Sequence, residues 1–232
     1  MFFLYNKLPD EFIIFDTEFT AWEGSMKRNW SKDFEKKELV QIAGLKIKKI
    51  DDTLRVIDSI NVFIKPKVNP VLSNYFINLT GITQSLIESY GVPFLRGINS
   101  FYKFSKNKNN DFLPIYSYGN DYSVIKENLI IHNLKSNSRF YNWGNHFYDI
   151  KMVFKDYVNV DQYTSGNLYK AFNIKPGYGV NIHNSLWDSK SLFLSLKYLV
   201  DKEHNSISNG INWIVPLILL FFLFFVKFYF SY

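Results

Sequence analysis

Asp16 and Glu18 stand two residues apart in the apolar run EFIIFDTEFT, residues 11–20. Side chains of an extended chain alternate between faces, so both carboxylates point to the same side. Buried together they repel each other and lose hydration, at a cost of several kcal/mol unless a proton or cation compensates. The pair therefore asks for a metal, although an exposed strand end explains the same D-x-E as solvated charge. Three further residues carry a similar double meaning. Asp121, in YSYGNDYSVIKENL, follows a strand-like segment and a glycine turn, where it can hold a metal or cap a helix. Asp188, in GVNIHNSLWDSKSL, opens a helical pattern and has the same two roles open to it. His183, five residues earlier, can act as a base near neutral pH or as a loop histidine bonded to backbone.

Composition narrows the chemistry. The 232 residues contain no cysteine and four histidines, which excludes disulfides, thiolate zinc sites, iron–sulfur clusters and cysteine nucleophiles and leaves oxygen as the main metal-ligating atom. Twenty-three Phe and sixteen Tyr exclude a disordered chain. A net charge of +6 favours an anionic partner, nucleic acid or an acidic membrane surface.

The elements that must position these residues alternate along residues 1–200. Glu11–Thr20, Leu39–Ile50 and Leu54–Lys65 are rich in Ile, Val and Phe, and the Asp51-Asp52 turn joins the last two, which predicts three consecutive antiparallel strands. Residues 66–91 carry a loop and helices punctuated by Thr80-Gly81. Phe112–Ser117 reads as a strand, Asp121 to about Leu134 as a helix, Arg139–Trp143 as a fifth strand, and Leu186–Asp201 as a closing helix. A meander followed by βα units implies a mixed sheet flanked by helices.

From Ile211 to Tyr232 the plainly polar residues are Asn212, Lys227 and Ser231, around the core WIVPLILLFFLFFV. This segment approaches the ~20 residues that span a bilayer and has no polar face. The reading divides the chain into a domain at 1–200, a polar linker at 201–210 and a transmembrane anchor at 211–232, with the domain on the cytosolic side. A buried or oligomerising helix is the alternative.

Taken together, Asp16, Glu18, Asp121, His183 and Asp188 resemble, in order and spacing, the three Exo motifs of DEDDh-type 3′→5′ exonucleases, the superfamily of RNase T and the proofreading ε subunit. FIKPKVNPVLSNYFINLTGIT (63–83), SYGNDYSVIKENL (117–129) and GNLYKAFNIKPGYGVNIHNSLWDSKSL (166–192) resemble the Eri1/KapD-like branch. The resemblance covers roughly residues 10–200. It implies an RNase H-like fold with a mixed five-stranded sheet. It also implies that Asp16 bridges two Mg²⁺ or Mn²⁺ ions, that Glu18 and Asp188 complete the tighter site, that Asp121 holds the second ion largely through water, and that His183 is the general base. The implied reaction releases nucleoside 5′-monophosphates from single-stranded RNA or DNA with a free 3′ end, RNA favoured. Phe19, Thr20 and Trp22, with Leu79 and Thr80, fall where the resemblance places the pocket for the terminal nucleotide, and Phe19 is equally explained as core. Asp149 falls at a structural position. The basic stretches Lys27–Lys37 and Lys46–Lys49 can track phosphates or form a solvated face. Two departures stand out. Trp187 and Ser189 flank Asp188 where relatives often carry a second acid, and the apolar C-terminal segment is foreign to the family pattern. The competing class is a catalytically idle nuclease fold that binds nucleic acid or a protein at a membrane.

Overall fold

The structure, a computed structural model, describes residues 4–134, 138–177 and 180–206. After a short helix α1 (Leu4–Lys7), strands β1 (Glu11–Phe19), β2 (Leu39–Ile50) and β3 (Thr53–Phe63) form the antiparallel meander. Asp51 and Asp52 both take left-handed φ at its tight turn, a conformation that Asp tolerates better than most residues. Helices α2 (Asn74–Thr80), α3 (Gln84–Tyr90) and α4 (Phe94–Phe104) follow. Ser73 and Thr83 cap α2 and α3 with their hydroxyls, and Gly81, at φ 72°, ends α2. Strand β4 (Ile115–Ser117) and helix α5 (Asp121–Ile131) come next, then α6 (Ser138–Trp143), β5 (Phe147–Asp149), α7 (Lys151–Phe154) and a 3-10 helix, Ser165–Phe172. The last described helix, α8, spans residues 185–206.

The sheet order is β3-β2-β1-β4-β5, with β4 parallel to β1 and β5 parallel to β4. This is the mixed five-stranded sheet of an RNase H-like α/β fold. Strand alternation divides the core into two layers. Ile13 and Phe15 of β1 face α4, α5 and α6 through Ile98, Phe101, Val124, Ile125 and Trp143. Phe12 and Ile14 face α7, α8 and the 3-10 helix through Phe154, Leu168, Leu192 and Leu196. A smaller cluster of Val40, Phe76, Ile82 and Ile87 seats α2 and α3.

Two sequence expectations require correction. Arg139–Trp143 is the helix α6, not a strand: Phe140 and Trp143 are buried at i, i+3 while Arg139 and Asn142 are exposed, which is a helical spacing. The fifth strand is Phe147–Asp149, three residues beyond a glycine and too short to show a period. The chain also does not leave the domain at residue 200. α8 continues to 206, and Glu203 accepts hydrogen bonds from the Leu4 amide at 2.7 Å and the Tyr157 hydroxyl at 3.0 Å. Residues 201–206 of the expected linker are thus helix. Among the described residues no helix is long and apolar enough to cross a membrane. The expected anchor at 211–232 lies outside the described residues.

Candidate active site

The site forms where the C-terminal end of β1 meets the start of α8. Asp16 and Glu18 project from β1 on the side packed by α8, where Asp188, in the first turn of that helix, comes down on them. One carboxylate oxygen from each of the three lies within 4.8 Å of the others. Asp188 does not cap its helix. The Asn184 side chain takes that role by accepting from the Leu186 amide, and Asp188 Oδ2 instead accepts from the Ser165 hydroxyl at 2.9 Å.

This cluster has no balancing cation from the protein: no ion pair among the described residues involves Asp16, Glu18, Asp121 or Asp188. Burial, with Asp121, Asp188 and Glu18 as like-charged neighbours, pushes the Asp16 carboxyl well above its usual range. Burial and the charges of Asp188 and Asp121 do the same to Glu18. Asp188 is pushed up to about 7 by burial, against the pull of Ser165 and the His183 backbone. Its Oδ1 is buried and has no hydrogen-bond partner among the described residues. Three converging carboxylates, one with an orphaned oxygen, fit a hard divalent cation such as Mg²⁺ or Mn²⁺.

Asp121 stands apart from this trio. It is the first residue of α5, yet Asn120 precedes it as the cap residue and makes no capping bond with its side chain. The Asp121 carboxylate reaches β1 and accepts from the Thr17 hydroxyl at 2.6 Å and the Thr17 amide at 3.2 Å. Thr17 alternates with Asp16 and Glu18, so Asp121 approaches the strand end from the other layer. Burial pushes its carboxyl up to about 6, against the Thr17 bonds that pull it down. Four acids therefore flank one strand end, three as a cluster and the fourth bonded across the strand.

His183 lies in the turn before α8 with a left-handed φ of 65°, half-buried, and burial lowers its imidazole pKa. A neutral imidazole near physiological pH can accept a proton. The Leu79–Gly81 turn lies beside the same loop, since a Cβ placed on Gly81 would stand 3.9 Å from Asn181 Nδ2.

Of the residues expected at the nucleotide pocket, two have their side chains engaged by the scaffold. Thr20 is buried, and its hydroxyl donates to the Lys36 carbonyl and accepts from the Glu38 amide. Thr80 is buried, and its hydroxyl donates to the Phe76 carbonyl and accepts from the Ile82 amide. Both threonine side chains hold the scaffold. Phe19 and Trp22 remain half-exposed, Phe19 against Trp30 and Trp22 edge-on to Phe34, with ring centroids 5.4 Å apart in each case, and Leu79 is half-exposed. Asp149 is structural: its Oδ1 accepts from the amides of Gly119 and Lys151, tying β5 to the turn before Asp121. The basic stretches are engaged internally in part, with Arg28 on Glu35, Lys37 near Glu127, Lys49 near Asp10, and Lys46 on the Lys106 carbonyl, while Lys27, Lys32, Lys36 and Lys48 are exposed.

Sequence reasoning overlooked the residues that hold the acids. Thr17 was legible, because it sits between the two carboxylates and must face the other way. Ser165 and Gly166 were not. A Cβ on Gly166 would stand 2.3 Å from Asp188 Oδ1, so only glycine lets the 3-10 helix come this close. Gln41, directly across from Glu18 on β2, is fully buried. It accepts from the Ser185 amide at 3.1 Å and donates to Asn61 at 2.8 Å, fixing the start of α8 over the strand.

Fold and site together define an RNase H-like domain with an acidic cluster suited to metal at its strand ends. The RNase T exonuclease family model matches residues 13–192, and the chain belongs to this family of the DEDDh exonuclease superfamily. No curated protein sequence matches the chain. Among solved structures, the 3′-exonuclease described in 3′-end recognition of a histone mRNA stem-loop shares 18% identity at a TM-score of 0.65, with 83% of this chain and 64% of that chain covered. The nuclease domain of 3′hExo, a DEDDh family member bound to rAMP, shares 20% identity at a TM-score of 0.59, with 83% and 92% covered. Exonuclease I of E. coli, in complex with a dA16 oligonucleotide, shares 16% identity at a TM-score of 0.54, with 84% and 43% covered. At these identities the likeness is one of fold. The chain spans less than two-thirds of the first of these proteins, 64%, and 92% of the isolated nuclease domain.

Proposed function

We propose that the protein is a divalent-metal-dependent 3′→5′ exonuclease that removes nucleoside 5′-monophosphates from single-stranded nucleic acid or 3′ overhangs, RNA favoured over DNA. The observation that carries the proposal is the convergence of Asp16, Glu18 and Asp188 within 4.8 Å with no ion-paired cation among the described residues to balance them. Divalent ions bound there supply charge neutralisation for the attacking and leaving oxygens of a phosphodiester displacement. Asp16, Glu18 and Asp188 would hold the ion of the cluster, and Asp121 would act on a second from across the strand. His183 takes the proton of the attacking water, a role worth about 10²–10⁴-fold. Phe19, Trp22 and Leu79 offer apolar surface to the terminal nucleotide. RNA preference rests on the Eri1-like motifs, and the single-stranded substrates of the structural neighbours support the substrate class.

The apolar segment 211–232 would tether this activity to a membrane, with the nuclease domain facing the cytosol. That part of the reading rests on sequence alone.

The test incubates the full chain, in mild detergent, with 3′-blocked and 5′-blocked single-stranded RNA and DNA under Mg²⁺, Mn²⁺ or EDTA, beside Asp16→Asn. The expected result is metal-dependent shortening from free 3′ ends that the substitution abolishes. Absence of cleavage by a folded, metal-loaded protein refutes the proposal and leaves an idle nuclease fold.

A further inference from the structure

Helix α4 buries Phe94, Ile98 and Phe101 against the sheet and turns Arg96, Asn99, Ser100 and Lys103 outward. These four follow i, i+3, i+4, i+7, so they form one stripe along the helix. With Pro93 and Leu95 they line an open groove of about 560 Å³ that contains no carboxylate. Arg96 and Lys103 are exposed and take part in no ion pair among the described residues. In the basic loops after β1 and along β2, by comparison, Arg28, Lys37, Lys46 and Lys49 are engaged within the protein, whereas Lys27, Lys36 and Lys48 are exposed. Seven residues of helix separate the two charges by about 10 Å along the axis. From the neighbouring α6, the Arg139 guanidinium donates to Asn99 Oδ1 at 2.5 Å and lies over the Phe140 and Tyr102 rings. That bond uses the amide oxygen of Asn99, so its donor nitrogen is the atom left for a ligand.

Two cations with the Asn99 amide between them suit a linear polyanion better than a single phosphate, because the charges are spread over about two helical turns, while the Ser100 hydroxyl donates back to the Arg96 carbonyl at 3.1 Å. α4 also packs in the same layer as α5, the helix that carries Asp121. We propose that this groove binds the phosphodiester backbone of the substrate strand upstream of its 3′ end, so that long single strands are held more tightly than short ones. The proposal rests on the exonuclease reading above and extends it to a second contact outside the acidic site.

The test compares wild-type protein with Arg96→Ala/Lys103→Ala and with the charge-preserving Arg96→Lys/Lys103→Arg. Binding is followed by fluorescence anisotropy in an Asp16→Asn background, using a trinucleotide and a single strand of about 20 nucleotides. The alanine pair should weaken the long strand roughly tenfold and make its salt slope shallower by about 1.4, leaving the trinucleotide unchanged. The charge-preserving pair should bind like wild type. In the cleavage-competent background, kcat/KM should fall on the long strand alone. Equal losses on both lengths, or none on either, overturn the groove. So does retained RNA binding accompanied by lost binding to phosphatidylcholine–phosphatidylserine vesicles, which would assign the stripe to lipid headgroups. If wild type cleaves neither strand, the exonuclease reading fails, while a length-dependent binding loss still supports the groove.

Discussion

Substituting Gly166 by alanine tests the geometry of the acidic site without touching a charged residue. The new Cβ would stand 2.3 Å from Asp188 Oδ1, 2.9 Å from its Cγ and 3.0 Å from Ile182 Cγ2. To reach ordinary van der Waals contact the carboxylate must retreat by about 1 Å. Metal–oxygen bonds to Mg²⁺ tolerate only about 0.2 Å of error, so a retreat of that size removes Asp188 from the ligand set. The Ser165 hydroxyl bond on Oδ2 opposes the retreat, and the backbone of the 3-10 helix must share it. Overpacking of this kind costs about 1–3 kcal/mol, partly offset by the ~0.4–1 kcal/mol gained when a glycine leaves the unfolded chain. The expected metal-free protein is therefore up to about 2.6 kcal/mol less stable. Its Mg²⁺ requirement should rise about 10–100-fold, the range seen when groups supporting a metal ligand are lost. Mn²⁺ binding by calorimetry, alongside thermal melts in EDTA, measures both quantities. Unchanged Mn²⁺ affinity in a protein of unchanged stability would show that Asp188 does not stand against Gly166, and the proposed ligand set would fall with it.

Three further predictions concern the same acids. Because Asp188 is pushed up to about 7 in the metal-free fold, against an ordinary value of 3.8, its contribution to stability is present below about pH 4 and is lost as the pH rises toward 7. Metal-free wild type should lose stability across that window relative to Asp188→Asn, and excess Mg²⁺ should restore it; thermal melts at stepped pH that stay parallel for the two proteins would contradict this. Thr17→Val removes the 2.6 Å hydroxyl bond to Asp121 and keeps the strand packing. Activity should drop about tenfold with a stability loss near 1 kcal/mol, and wild-type rates in Thr17→Val would mean that Asp121 needs no such anchor. His183→Ala should lower kcat by about 10²–10⁴-fold, leave Mn²⁺ affinity intact and remove the acid limb of the pH–rate profile, which burial places below the usual histidine value of 6.5. A surviving acid limb in that variant would assign the titration to another group.

The long apolar strands were legible because their Ile-, Val- and Phe-rich runs extend over nine or more residues, and the meander follows from the Asp51-Asp52 turn. The fifth strand was not, since three residues cannot display a period and their strand identity comes from pairing with β4. The aromatic run at 139–143 misled in the opposite direction, because three aromatics within five residues satisfy both a strand and one turn of helix. Its helical state is decided by the slot that receives Trp143, where the indole donates to the Ser105 hydroxyl at 2.9 Å.

For the site, sequence determined which acids are present, that Asp16 and Glu18 share a face, and that Thr17 points away. Those are properties of local geometry, written in a two-residue period. Tertiary structure decided that Asp188 joins them while Asp121 bonds across the strand, and that the hydroxyls of Thr20 and Thr80 are consumed by the scaffold. It also decided that Ser165, Gly166 and Gln41 hold the start of α8 over β1. These contacts join residues more than 140 positions apart, and they exist only after two helical layers have closed on one sheet. No local pattern encodes such a distance, and the energy of four acids around one strand end, Asp16 and Asp188 buried and Glu18 and Asp121 half-buried, is a property of that closure alone.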